Sequence, residues 1–166
     1  MTADTPAPLP GAVLFACNFN RVRSPMAEAL LRRALGDRVF VDSCGLKHED
    51  LGDPNKEAAA NPFAAAVMAE VGCDLQGHRP KTFDELEDDS FDLIISLTPE
   101  AQHRAVELTR NRATEIEYWP TFDPTLTEGS REARLEAFRQ ARDDLARRIA
   151  ERFGLSADMA ERGQTL

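Results

Sequence analysis

The chain has 166 residues, 42% of them hydrophobic and 30% charged, with a formal net charge of -9 at pH 7 and a pI near 4.9. Length and composition describe one soluble globular domain, and the negative field argues against nucleic acid and anionic membrane surfaces as partners. Any phosphate chemistry here needs a local concentration of positive charge and backbone N–H groups that overrides the global balance.

Met1 to Gly11 carries Pro6, Pro8 and Pro10 and no apolar core segment, so residues 1–10 are expected to form a disordered arm, neither a secretory leader nor a membrane anchor. No run of about eighteen apolar residues suits a membrane span. Cys17, Cys44 and Cys73 are odd in number and irregular in spacing, which favours a reducing, cytoplasmic setting over a disulfide framework.

Ala12 to Ala16 (AVLFA) is a short apolar run suited to a strand buried on both faces. Ser24-Pro25 predicts a helix start, with Ser as N-cap and Pro at the first helical position; Met26, Leu30 and Ala34 with Ala27, Leu31 and Leu35 form its buried face, and Gly36 ends it. Val39 to Cys44 reads as a second strand ending at Gly45, and Lys47 to Lys56 as a surface loop. Pro62 opens a helix on which Phe63, Ala66, Val67 and Val71 recur until Gly72. Phe91 to Leu97 is the third strand, and Pro99 starts a helix running toward Arg110.

Glu115 to Trp119 alternates as a shorter strand nearer an edge, followed by a loop from Pro120 to Gly129 that carries Asp123-Pro124. A long helix from near Ser130 places Leu135, Phe138, Ala141, Leu145, Ile149 and Phe153 on one stripe. Strands separated by helices predict an α/β domain over residues 11–155, a parallel sheet with helices on both faces, with a tail at 156–166. Ligands bind such sheets beyond the carboxyl ends of the strands, where Cys17 and Asp123 both fall.

The segment from Cys17 to Ser24 (CNFNRVRS) joins a buried strand to a helix N-terminus, so the backbone N–H groups of Asn18, Phe19, Asn20, Arg21, Val22 and Arg23 can converge on an anion. Arg23 can add a bidentate guanidinium contact. A cysteine in that field loses its proton more readily than a free thiol, and a thiolate beneath a phosphoryl group is a nucleophile that forms a phosphocysteine. Ser24 can donate to the thiolate, and Asp123 is the candidate proton donor to the leaving oxygen. Cys44, Cys73, His48 and His103 lack metal-ligand spacing and read as structural.

VLFACNFNRVRSPMAEALL resembles the signature of the low-molecular-weight protein tyrosine phosphatases: a strand, a C-x5-R-S-P loop and a helix beginning MAEA. The similarity extends to VDSCGL, Gly72 to His78 leading into PKTF, FDLIISL, the Asp-Pro loop and the final helix. It implies a four-stranded parallel sheet with the phosphate-binding loop after the first strand, no metal and no organic cofactor. It also implies Cys17 as nucleophile, Arg23 as phosphate clamp, Ser24 as support for the thiolate, Asp123 as acid, and Asn20 as a loop-shaping residue held by His78. The expected substrate is a phosphorylated protein or a small phosphomonoester, with phosphate, sulfate or arsenate as anion ligands.

Several positions depart from that pattern. Phe19 stands where the family usually has Gly, Arg21 adds a charge at the rim that can widen the positive mouth, and Val22 replaces a second loop cysteine that many members carry. Thr125 and Leu126 follow Asp123-Pro124 in place of an aromatic pair, leaving Tyr118, Trp119 or Phe19 as candidate walls. Related arsenate reductases share the first loop but relay oxidation through further cysteines on a segment following a position like His78; Gln76 to Glu100 contains none. A thiol-dependent arsenate reductase and an idle phosphate-binding module are therefore the alternatives to a phosphomonoester hydrolase.

Overall fold

In the computed structural model, which describes residues 8–155, the apolar run after Gly11 becomes strand β1 (Ala12–Cys17), buried from Val13 onward. It is sandwiched because its two faces serve different cores. Val13, Phe15 and Cys17 face a large cluster, while Leu14 and Ala16 face a smaller one on the other side of the sheet. The arm expected at residues 1–10 falls mostly, and the tail at 156–166 entirely, outside the described residues.

Strands β2 (Phe40–Gly45) and β3 (Leu93–Ser96) pair with β1 in parallel, and β4 (Glu115–Tyr118) pairs with β3, giving the order β2-β1-β3-β4. The fold is thus the expected α/β domain with a four-stranded parallel sheet, and β4 is an edge strand. Helices α1 (Arg23–Leu35), α2 (Pro62–Glu70) and α4 (Arg131–Phe153) cover the larger core; α3 (Pro99–Leu108) covers the smaller one through Ala101 and Ala105.

Three helices start as polar caps dictate. Asn61 Oδ1 accepts from the Phe63 N–H at 2.8 Å, Thr98 Oγ1 from Ala101 at 3.1 Å and Ser130 Oγ from Ala133 at 3.1 Å. Helix α4 lays Phe138, Leu145 and Ile149 into the core, each contributing roughly 1.5–3 kcal/mol by burial, and ends at Gly154 in the left-handed region.

Helix α1 departs from the sequence expectation. It begins at Arg23, its N-cap is Val22 without a side-chain hydrogen bond, and Ser24 lies inside the first turn rather than capping it. The Ser24 hydroxyl is engaged elsewhere, by Cys17 and Asn20. Ala34 is only half-buried, whereas Glu28 is buried with the apolar face because its carboxylate meets a second-strand hydroxyl, described below. On α2 the fully buried residues are Ala64, Val67 and Met68 rather than Phe63 and Ala66.

Candidate active site

The residues at the carboxyl ends of the four strands meet at one place. Cys17 closes β1, Gly45 closes β2, Thr98 follows β3, and Thr121 and Asp123 follow β4. Cys17 is 2% exposed at the floor of the loop. Its Sγ lies 2.9 Å from Ser24 Oγ, the contact expected of a hydroxyl that supports a thiolate.

Backbone accounting shows how the loop is turned. The carbonyl of Asn18 accepts from Leu46 and Lys47 at 2.8 and 3.2 Å, that of Arg21 from Asn61 at 2.9 Å and that of Val22 from Met26 at 3.1 Å. The Asn20 carbonyl accepts from His78 Nε2 at 2.7 Å. No backbone N–H from Asn18 to Ser24, by contrast, donates to a carbonyl of another described residue. With these carbonyls bonded outward, the amides of residues 18–24 are left without a described carbonyl to serve, and the α1 N-terminus adds its dipole with no side chain capping it.

Asn20 has φ +57°, alone among non-glycine described residues in that region, and four contacts hold it there. Its Nδ2 donates to Ser24 Oγ at 2.8 Å and to Ser43 Oγ at 2.9 Å, its Oδ1 accepts from the Lys81 N–H at 3.0 Å, and its carbonyl takes the His78 bond. Burial pushes the His78 pKa down, with the bond to Asn20 opposing it; the neutral ring donates from Nε2. Asn20 and His78 are thus joined through the Asn20 carbonyl.

Arg23 is 9% exposed, donates from Nη1 to the Thr121 carbonyl at 2.9 Å and turns Nη2 toward Asp123 Oδ2 at 3.8 Å. The other Asp123 oxygen accepts from the Thr125 N–H and hydroxyl at 3.0 and 2.6 Å. One carboxylate oxygen is therefore tied to its own short 3-10 turn (Pro124–Leu126) while the second faces the guanidinium. Cys17 thus meets Ser24, and Arg23, next to Ser24 in the chain, approaches Asp123.

Several supports have no counterpart in that reading. Ser43 bridges Asn20 to the buried Glu28, donating to its carboxylate at 2.5 Å, and Thr98 Oγ1 donates to Asn18 Oδ1 at 2.7 Å. Gly45 is the seat of the loop: a Cβ there would stand 2.8 Å from Asn18 O and Asn20 N and 2.9 Å from Phe19 C. The stretch VDSCGL carries Ser43 and Gly45, but nothing in its composition assigns them a role.

The rim differs from expectation. Arg21 is folded back, with Nη1 on Glu49 at 2.6 Å and Nε on the Ala59 carbonyl at 2.8 Å, so its charge is paired instead of widening a positive mouth. Trp119 packs edge-on against Phe15 at 6.1 Å, and Tyr118 borders a groove with Arg148 and Arg152 of α4. The exposed apolar side chains beside Asp123 are instead Phe122 and Leu126, at 48% and 76% exposure. A cavity of about 620 Å³ opens between α1 and residues 74–81, but Cys17, Arg23 and Asp123 do not line it, and its arginines and lysine are already paired with Glu28, Glu57 and Asp42.

Cys44 is fully buried on the face of the sheet opposite Cys17, and burial, with smaller contributions from Cys17 and Asp42, pushes its thiol pKa well up. Cys73 is buried beside Arg33, whose Nη1 lies 3.2 Å from its sulfur.

Known proteins resemble this chain in sequence and in fold. The family model described as low molecular weight phosphotyrosine protein phosphatase matches residues 12–151. The arsenate reductase of Halalkalibacterium halodurans is 30% identical over 137 residues, covering 82% of this chain and 91% of the relative. Among solved structures, the low molecular weight protein tyrosine phosphatase from T. tengcongensis superposes with a TM-score of 0.69 at 24% identity, covering 86% of this chain and 97% of that one. An arsenate reductase in the phosphate binding state superposes with a TM-score of 0.63 at 27% identity, covering 86% and 96%.

Proposed function

The chain belongs to the low molecular weight phosphotyrosine protein phosphatase family, and within that family we propose that it hydrolyses phosphomonoesters, phosphotyrosine or a similar phosphorylated group, through a phosphocysteine on Cys17. The phosphoryl group sits among the amides of residues 18–23 with Arg23 on its oxygens. Cys17 Sγ attacks phosphorus in line, the ester P–O bond breaks, and Asp123 passes its proton to the leaving oxygen. Asp123 then takes a proton from water, the water oxygen displaces the sulfur, and phosphate leaves.

The observation that carries this reading is the Asp123 carboxylate, held by Thr125 on one oxygen and set 3.8 Å from Arg23 by the other. Ester cleavage needs such a proton donor at the mouth. The flanking Phe122 and Leu126 offer an apolar lip for the leaving group, and the buried thiols suit a reducing cytoplasm.

The second reading is reduction of arsenate, which the loop would bind as a phosphate-shaped oxyanion. Cys44 lies on the wrong face to relay oxidation from Cys17, and Cys73 is buried in the core with its sulfur against Arg33, so a relay through either would need a large movement and the reaction would depend on an external thiol. A third reading is an idle module that binds phosphate without turnover. Pre-steady-state kinetics with para-nitrophenyl phosphate decide: a burst of para-nitrophenol followed by steady hydrolysis supports the phosphatase, and its loss in Cys17→Ser with vanadate binding retained assigns the thiol. Tight phosphate binding without turnover would favour the idle module, and arsenate-dependent consumption of glutathione without ester hydrolysis would favour the reductase.

A further inference from the structure

Two phosphate-loop residues that depart from the family pattern, Phe19 and Arg21, both turn outward, and both meet the same segment. Residues 46–61 leave β2 and return to α2. At the outgoing end the N–H groups of Leu46 and Lys47 donate to the Asn18 carbonyl, and Lys47 Nζ lies 5.9 Å from the centroid of the half-buried Phe19 ring. At the returning end the Asn61 N–H donates to the Arg21 carbonyl, and Arg21 Nε reaches the Ala59 carbonyl. Two residues beyond Lys47, Arg21 Nη1 meets Glu49, whose side chain is 37% exposed while that of Arg21 is 13% exposed.

A guanidinium presents its donors in a fixed planar fork, so one side chain can bridge two acceptors that a lysine could not bridge together. Here that fork spans the two arms of the segment, one through a carboxylate and one through a backbone carbonyl. Both feet of the segment rest on loop carbonyls, so it stands at the rim of the mouth. A cation committed to Glu49 and Ala59 is not directed at the anion below.

We infer that Phe19 and Arg21 are positioning residues that clamp residues 46–61 to the outer side of the phosphate loop, fixing the wall of the mouth that a substrate meets beyond its phosphoryl group. This deepens the phosphatase reading and rests on it for its consequence, but the clamp itself is a property of the fold.

The test compares Glu49→Gln, Arg21→Met and the double variant, with hydrogen exchange across residues 48–58 as the readout that needs no activity. Each single variant should speed exchange of these amides about tenfold or more without a comparable change in the sheet, and the double variant should exchange no faster than either single. With para-nitrophenyl phosphate, which does not reach past the rim, Glu49→Gln should keep kcat/KM within about twofold; with a phosphotyrosyl hexapeptide it should raise KM severalfold at unchanged kcat. Unchanged exchange in Glu49→Gln would overturn the clamp, and that variant decides alone if Arg21→Met fails to fold. Tighter inhibition by inorganic phosphate in Glu49→Gln, with weaker inhibition in Arg21→Met, would also overturn it, because Arg21 would then serve the anion. Altered exchange together with absence of hydrolysis in the wild type would leave the clamp standing and remove the phosphatase reading.

Discussion

Cys17 and Cys44 sit on neighbouring strands one register step apart, Cys17 opposite Gly45 and Cys44 opposite Ala16, and their side chains therefore leave the sheet on opposite faces. A disulfide between them would require rotating a central strand of a parallel sheet, because side chains alternate strictly along it. Cys17 thus has Cys44 one register step away on the next strand but on the other side of the sheet.

Native-state alkylation follows from that geometry. Iodoacetamide at pH 7 should label Cys17 first, while Cys44, with its thiol pKa pushed up by burial, stays unlabelled until the chain is unfolded. Mass spectrometry of tryptic peptides reads both sites. After mild peroxide treatment the same peptides should show no Cys17–Cys44 link; finding that link would mean the strand register opens in solution.

Asp123→Asn tests the proton donor without dismantling its setting, because the amide carbonyl can still accept from the Thr125 N–H. General acid catalysis is worth about 10²–10⁴ in rate and matters most when the leaving group is a poor one. Hydrolysis of an alkyl phosphate should fall by about 10² or more, and that of para-nitrophenyl phosphate by roughly tenfold or less. Equal losses on the two substrates would remove Asp123 from the role.

Gly45→Ala places a methyl group against three backbone atoms of the loop at 2.8–2.9 Å, and backbone cannot step aside as a flexible side-chain tip can. Overpacking of this kind costs about 1–3 kcal/mol, which for a domain of this size lowers Tm by roughly 3–10 °C. The rise in Tm produced by saturating inorganic phosphate should also shrink, since the proposed anion site is built from the backbone that the methyl group displaces. A variant that binds phosphate as the wild type does would show that the loop does not rest on Gly45.

The sequence made the fold legible where burial is two-sided and continuous. AVLFA and FDLIISL could only be central strands, and Leu145, Ile149 and Phe153 mark α4 by their spacing alone. Cys17 and Arg23 were legible as candidate site residues because a strand, a short polar loop and a helix start follow one another there. What stayed hidden depends on tertiary contact: Ser24 looks like a helix cap until Cys17 and Asn20 claim its hydroxyl, and Ser43 and Glu28 look like a strand hydroxyl and a surface charge until they meet. Arg21 reads as an unpaired charge at the rim because its partner, Glu49, lies 28 residues away in an irregular loop.

His78 ties the phosphate loop to pH. Its Nε2 donates to the Asn20 carbonyl, Glu28, Lys81 and Asp42 form its charged surroundings, and burial lowers its pKa below the ordinary histidine value near 6.5. Between the folded value and about 6.5 the unfolded chain binds more protons than the native one, so stability rises with pH across that window. The contribution is complete above about pH 6.5 and is lost as the pH falls toward the folded value. The carboxyls of Glu70, Glu85 and Asp89, held low by Arg139, the Thr82 N–H and Arg112, lose their contributions only at more acid pH. Urea unfolding at steps from pH 7.5 to 5 should show the midpoint falling in the wild type. His78→Gln, which keeps an N–H donor but does not titrate, should flatten that fall while costing about 1 kcal/mol at pH 7.5. The same slope in both proteins would mean that another group carries the pH dependence and that the ring at residue 78 is not held neutral against Asn20.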